Sequence, residues 1–321
     1  VVTIAALLSM GTSVAEPTDL AAVSTAPVQY EPGQVYETAD GWIEYHAGNL
    51  PIIVSAPHGG RLTPSSIPDR TADACGGEIV TSVDTNTAEL ALALKEKFHE
   101  HSGKYPHVII NRLKRTKLDA NRDKTLASCG NAGAENAWES FLRLIEAAKA
   151  QAVANAWGKG FYIDVHGMRG SETQLGFLLS RADLQESNSA LNENPEYRNK
   201  SSVQTFAADS PIDFAQLLRG DNAIGTKLVH DGFPTVPSKQ KGSPTPDKTY
   251  FAGGYNTGRH GCRSGGKVCG LQVETPYKGV RDNDKNRMAF AESLVQAVDV
   301  FLDHNFGFDI RSPKEGDRSG Y

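Results

Sequence analysis

Apolar residues fall along this chain in short runs, each closed by a polar or glycine-rich turn, and the runs alternate with longer amphipathic stretches. Ile52-Ile53-Val54-Ser55-Ala56 ends at Pro57-His58-Gly59-Gly60, and Phe161-Tyr162-Ile163-Asp164-Val165-His166 ends at Gly167. His107-Val108-Ile109-Ile110, Phe177-Leu178-Leu179 and residues 270–274 read the same way. Brief apolar runs bounded by such turns predict buried strands. Between them, residues 84–101 predict a helix whose apolar side chains are Leu90, Leu92, Leu94 and Phe98, behind Asp84 and Thr85 as capping residues. Residues 134–157 are rich in alanine and contain neither glycine nor proline, which makes them the longest helical pattern in the chain. Residues 288–304 predict a closing amphipathic helix. Strands alternating with helices predict an α/β sheet covered on both faces.

Two regions break the alternation. Residues 181–248 are polar and carry few strand signals, so they are expected to form an insertion or long-loop region suited to substrate selection. Residues 1–10 are almost wholly apolar and lead into Gly11-Thr12-Ser13-Val14-Ala15, which resembles the apolar stretch and small-residue cleavage site of a secretory signal. The run is shorter than the about 20 residues of a membrane-spanning helix. The expected organisation is a signal-peptide remnant over residues 1–15, a polar leader over 16–38, one domain over 39–310 and a tail over 311–321.

Composition narrows the classes further. The 321 residues include 33 Lys and Arg against 38 Asp and Glu, a net charge of −5, and 39% are hydrophobic. That balance excludes a disordered chain and argues against a general nucleic-acid binder, which carries a basic surplus. The expected location is extracellular, and export permits disulfides. Cys262 and Cys269 bracket a Gly-rich loop that could close on itself, leaving Cys75 with Cys129, although four cysteines allow three pairings. With no Cys-x-x-Cys pair, a cysteine zinc site is disfavoured. Asn199-Lys200-Ser201 is the one N-glycosylation sequon and is expected on a surface loop.

The chemistry-bearing residues cluster where the strands end. His58 and His166 each close an apolar run and precede glycine. A buried histidine alone is more often structural, but α/β sheets place ligands at the carboxyl ends of their strands, and two histidines so placed can share a metal. Asp84 and Glu78 compete as a third, carboxylate ligand; Asp84 also suits a plain helix cap. Arg112, Arg115, Asp119, Asn121 and Arg122 crowd one segment, which is either a solvated basic loop or a site for an anionic substrate. Asp119 is a candidate for holding one of those arginines in position. Glu274, after an apolar run and before Pro276, is placed to act as general base or to be an ordinary strand-end carboxylate.

In combination these segments resemble the N-formylglutamate amidohydrolase family of the zinc-carboxypeptidase-like fold. The matching residues are Pro57-His58-Gly59-Gly60, Asp84-Thr85-Asn86, Arg115 with Asp119-Ala120-Asn121-Arg122, Asp164-Val165-His166-Gly167 with Arg169, and Leu271-Gln272-Val273-Glu274. The resemblance implies a three-layer α/β sandwich around a mixed, mostly parallel sheet, of carboxypeptidase and phosphorylase/hydrolase type. It also implies one zinc ion held by His58, His166 and a carboxylate. Relatives carry that carboxylate soon after the first histidine, where this chain has Arg61 and Leu62; Asp84 is therefore favoured, with Glu78 as the alternative. By the same resemblance Glu274 is the base, Arg115 an oxyanion or substrate clamp, and Asn121, Arg122 and Arg169 substrate-binding. The expected activity is hydrolysis of an amide in a small anionic substrate, an acylated amino acid or short peptide. Carboxypeptidase or esterase chemistry, and a silent binding protein, are the alternatives. The chain departs from the family in its cysteines, its polar segment, its signal-like start and Gly167-Met168 after His166, where serine commonly follows the histidine.

Overall fold

A computed structural model describes residues 29–154 and 157–311. The signal-like residues 1–15, most of the leader and the tail from residue 312 lie outside the described residues. From Glu31 onward the chain builds one eight-stranded sheet. Its strands are β1 (Val35–Glu37), β2 (Ile43–His46), β3 (Ile52–Ala56), β4 (His107–Asn111), β5 (Gly160–Met168), β6 (Thr173–Gly176), β7 (Thr235–Val236) and β8 (Val268–Pro276). They lie in the order β1-β2-β4-β3-β5-β8-β6-β7. The central four, β4, β3, β5 and β8, are parallel; β1 and β2 run antiparallel at one edge, and β6 runs antiparallel to β8 near the other.

Parallel strands are covered on both faces, which is why they read as unbroken apolar runs. Side chains alternate between the faces. Ile52, Val54, Ala56, Val108, Ile110, Phe161, Ile163 and Val165 form one core with two helices. These are α2 (Thr87–Ser102), which supplies Leu90, Leu94 and Phe98, and the C-terminal helix at Asp284–Phe306, which supplies Phe290, Leu294, Val298 and Phe301. A short helix, α1 (Ala72–Cys75), precedes α2, and α3 (Lys124–Ser128) precedes the long α4 (Ala132–Ala152). On the other sheet face Tyr45 reaches Gln151 of α4 through its hydroxyl, and Tyr162 packs its ring against His260. The result is the expected α/β arrangement of a mixed, mostly parallel sheet between helical layers.

The segment read as polar and loop-like is instead helical. It holds α5 (Arg181–Gln185), α6 (Asn188–Glu193), α7 (Pro195–Lys200), α8 (Gln204–Asp209), α9 (Phe214–Arg219) and α10 (Ile224–His230), then β7. Leu184, Leu191, Phe206, Phe214, Leu217, Leu218, Ile224 and Leu228 carry these helices into the core. Asn199 is exposed on α7 rather than on a loop, while Ser201 of its sequon is buried. The chain then forms α11 (Tyr255–His260), β8 and α12, the C-terminal helix already described. The strand expected at Phe177-Leu178-Leu179 lies earlier, at β6, because Thr173 and Gln174 are buried despite their polarity.

Disulfides join Cys75 to Cys129 and Cys262 to Cys269. No helix among the described residues is long and apolar enough to cross a membrane.

Candidate metal centre and active site

The carboxyl ends of β3, β5 and β8 supply most of the site. His58 follows β3 in a turn that only glycine permits: a Cβ on Gly59 would lie 2.5 Å from the Ala88 amide at the start of α2. His166 and Glu274 are register partners on β5 and β8, and so are Asp164 and Gln272 one pleat earlier. Asp84 does not cap α2. The helix begins at Thr87 behind Asn86, which sits at φ 64° and makes no side-chain cap bond. Asp84 is instead tied to the site by its own amide, which donates to the His58 carbonyl at 3.1 Å.

The Asp84 carboxylate is where the two rings meet. Its Oδ2 lies 3.3 Å from His58 Nδ1 and 3.4 Å from His166 Nδ1, and it accepts from the Gly167 amide at 3.1 Å. One donor atom from each of His58, Asp84 and His166 lies within 4.8 Å of the others, and all three residues are buried. A tetrahedral ion with bonds of about 2.0–2.1 Å spaces its ligand atoms roughly 3.3 Å apart. That is the separation Asp84 Oδ2 keeps from both rings.

Behind each ring stands a second carboxylate. His58 Nε2 is 2.6 Å from Asp119 Oδ1, and His166 Nε2 is 2.8 Å from Asp164 Oδ2. A carboxylate at Nε2 holds the proton there and leaves the Nδ1 lone pair free to bind a metal. Both carboxylates are themselves fixed. Arg115 Nε and the Asn121 amide donate to Asp119 at 2.9 and 3.1 Å, and the Ser55 hydroxyl donates to Asp164 at 2.5 Å.

These surroundings shift the titrating groups in opposite directions. Burial opposes ionisation of Asp84, Asp119 and Asp164, but the facing histidines, with Arg115 and Arg122 beside Asp119, hold all three below the usual carboxylate range. Burial likewise opposes charging His166, yet Asp164 and Asp84 raise its pKa well above the ordinary value. The cluster therefore favours positive charge at the point between the rings, a proton or a metal ion in its place. Glu274 behaves differently. Burial pushes it up to about 7, opposed in part by His166. Its Oε1 accepts from Gln272 Nε2 at 2.9 Å.

The centre opens into a cavity of about 660 Å³, which places the remaining sequence candidates. Arg115 and Arg122 line it, as does Asn121. Arg115 directs one edge of its fork onto Asp119, while Nη1 lies 3.6 Å from Asp84 Oδ1. Asn121 places Nδ2 3.3 Å from His166 Nε2, and its Oδ1 accepts from the Asn256 amide at 2.8 Å. Arg122 donates from Nη1 to the Asn121 carbonyl at 2.9 Å and is half-buried. Arg169 is exposed at the mouth. Glu78 is exposed and does not line the cavity, so it is not brought to the histidines.

Sequence reasoning missed Arg281. It is buried, and its guanidinium donates to the carbonyls of Thr85, Met168 and Thr275, the residues that follow Asp84, lie just beyond His166 and follow Glu274. The group lies flat against Gly167, where a Cβ would meet its Cζ at 2.4 Å. Nothing in the sequence pattern around Arg281 signals this role. The roles of Gln272 and Asp164 also went unassigned, although both sit two residues from a candidate on the same strand face, a spacing that could have found them.

No protein-family model and no curated protein matches this sequence. Among solved structures, the chain is similar to a gene product of Agrobacterium tumefaciens at 13% identity and a TM-score of 0.45, over 82% of this chain and 95% of the other. It is also similar to N-formylglutamate amidohydrolase from Ralstonia eutropha at 14% identity and a TM-score of 0.44, over 79% of this chain and 94% of the other.

Proposed function

We propose that the protein is a secreted, zinc-dependent hydrolase that cleaves the amide bond of an N-acyl amino acid or similar carboxylate-bearing substrate. The observation that carries this reading is the pair of Nδ1 atoms facing Asp84 Oδ2, each ring backed by a buried carboxylate, with Glu274 beside them. His58, Asp84 and His166 would hold the ion. Zinc in such a site supplies Lewis acidity and lowers the pKa of bound water to about 7.

The chain's own groups account for the rest. Glu274, held near neutrality by burial, takes a proton from the attacking water at its carboxylate oxygen. As the water oxygen bonds to the carbonyl carbon and the C–N bond breaks, Glu274 returns that proton to the departing nitrogen. Arg115 steadies the negative charge that develops on the carbonyl oxygen. Arg122, with Asn121 and with Arg169 at the mouth, receives the substrate carboxylate and so positions the scissile bond. The signal-like start and the two disulfides support export, because disulfides persist in oxidising compartments.

Elemental analysis and a panel of N-acyl amino acids and short peptides test this reading. The purified protein is expected to carry one zinc per chain, and His166→Ala to lose both metal and turnover. Glu274→Gln is expected to keep zinc while turnover falls by about 10²–10⁴-fold. Full hydrolysis after thorough chelation would remove the metal from the mechanism, and unchanged turnover in Glu274→Gln would remove the base.

A further inference from the structure

The described residues expose five large hydrophobic side chains, and three of them, Val80, Phe251 and Tyr277, line this one cavity. They are 42%, 39% and 46% exposed. They come from three unconnected places: the loop before α2, the segment after β7, and the turn after β8. Isolated exposed apolar residues need no explanation, but apolar groups gathered around a polar depression mark a binding surface.

Their backbones are held. Arg70 donates to the Val80 carbonyl at 3.2 Å. Gln174 grips the segment around Phe251 at both ends of its amide, donating to the Thr249 carbonyl at 2.9 Å and accepting from the Phe251 amide at 2.9 Å. The Tyr277 ring lies 5.6 Å from the Arg281 guanidinium carbon. The collar is therefore carried on anchored chain, nearer to solvent than the buried histidines and carboxylates of the centre.

Size points the same way. A formyl or acetyl amino acid, with about a dozen non-hydrogen atoms, fills only a minor part of a site in the range of roughly 300–1,000 Å³ that suits drug-sized ligands. The cavity of about 660 Å³ lies in that range.

We infer that the substrate's acyl group is bulky and apolar, an aromatic or medium-chain aliphatic acyl, and that Val80, Phe251 and Tyr277 select it. This rests on the amide-hydrolase reading above. The scissile bond lies at the histidine-lined floor, the carboxylate turns towards Arg122 and Arg169, and the acyl group leaves along the collar. Its burial there contributes affinity in proportion to the apolar area covered.

Acetyl, octanoyl and phenylacetyl derivatives of glutamate, and in parallel of alanine, test the inference. In the zinc-loaded enzyme, kcat/KM for the octanoyl or phenylacetyl compound is expected to exceed that for the acetyl compound by at least about 10-fold. The double variant Phe251→Ser with Tyr277→Ser should collapse that ratio towards one. Leu62→Ser, an exposed apolar residue away from the cavity, should leave the ratio unchanged. Hydrolysis with no acyl preference, or a preference that survives the double variant, overturns the collar while the reaction stands. If nothing is hydrolysed, direct calorimetric binding of the same compounds separates the two ideas. Tighter octanoyl than acetyl binding, lost in the double variant, sustains the collar and rejects the hydrolase; equal binding rejects the collar too.

Discussion

His58 and His166 can both offer Nδ1 to one point because Asp119 and Asp164 occupy the far nitrogens, at 2.6 and 2.8 Å. An amide in place of either carboxylate keeps the shape but weakens its hold on the Nε2 proton, so the ring loses basicity at Nδ1. Asp119→Asn is accordingly expected to lower zinc affinity by about 10–100-fold while the protein stays folded. Chelator competition measures it, and an affinity equal to the wild type would show that the tautomer is fixed by something else. The histidines were legible in sequence because each closes a strand-like run before glycine. Asp164 was legible in principle, since residues two apart share a strand face. Asp119 was legible as the anchor of an arginine, which proves to be Arg115, but not as the partner of His58: that bond spans 61 residues, and only the folded loop brings them together. The choice of Asp84 over Glu78 was open for a local reason. Asp84 looks like a helix cap until Asn86, at φ 64°, starts the helix later and frees it.

The segments that carry these residues are tied to one another beyond the sheet as well as within it. Cys75–Cys129 and Arg70, which donates to the carbonyls of Val80, Arg115 and Leu126, join the loop carrying Asp84 to the loop carrying Arg115 and Asn121. Arg281 does the same for the chain beyond Asp84, His166 and Glu274. A lysine gathers its three donors at one point and lacks the planar fork that spreads Nε, Nη1 and Nη2 over carbonyls on three separate segments. Arg281→Lys is expected to lose about 1–3 kcal/mol of stability, the cost of leaving buried acceptors unpaired. Urea unfolding reads it, and a variant as stable as the wild type would mean that the carbonyls find other partners. Long elements were legible: residues 134–157 were read as a helix, and α4 runs Ala132–Ala152. The helices between residues 181 and 230 were not, because each spans only 5–7 residues, too few turns for a 3.6-residue period to declare itself. Strand β6 escaped because its buried Gln174 turns its amide to the Thr249 carbonyl and the Phe251 N–H, so a buried position carries a polar residue.

Across the whole molecule, buried ionisable groups far from the cavity also make stability depend on pH. His107 at the start of β4 is fully buried; its Nδ1 accepts from the Gly48 amide at 3.1 Å and lies 2.8 Å from the Tyr45 hydroxyl. Burial lowers its pKa from 6.5 to about 4. The unfolded chain therefore binds a proton near pH 6.5 that the folded chain refuses until about pH 4, so stability is unaffected above that window and falls with acidification through it. At about 1.4 kcal/mol per unit, the loss by pH 4.5 is on the order of 2–3 kcal/mol. Other groups act in the same direction at lower pH: Glu44, where the bonds to His46 and Arg112 outweigh burial to hold it at about 2, loses its contribution only below the usual carboxylate range. The two effects separate by substitution. His107→Gln retains an acceptor for the Gly48 amide but does not titrate, so its unfolding free energy should fall less than that of the wild type between pH 7 and 4.5. Urea unfolding of chelated, zinc-free protein makes the comparison without a contribution from metal release. Parallel pH slopes for the two proteins would show that this histidine accepts its proton without loss of structure.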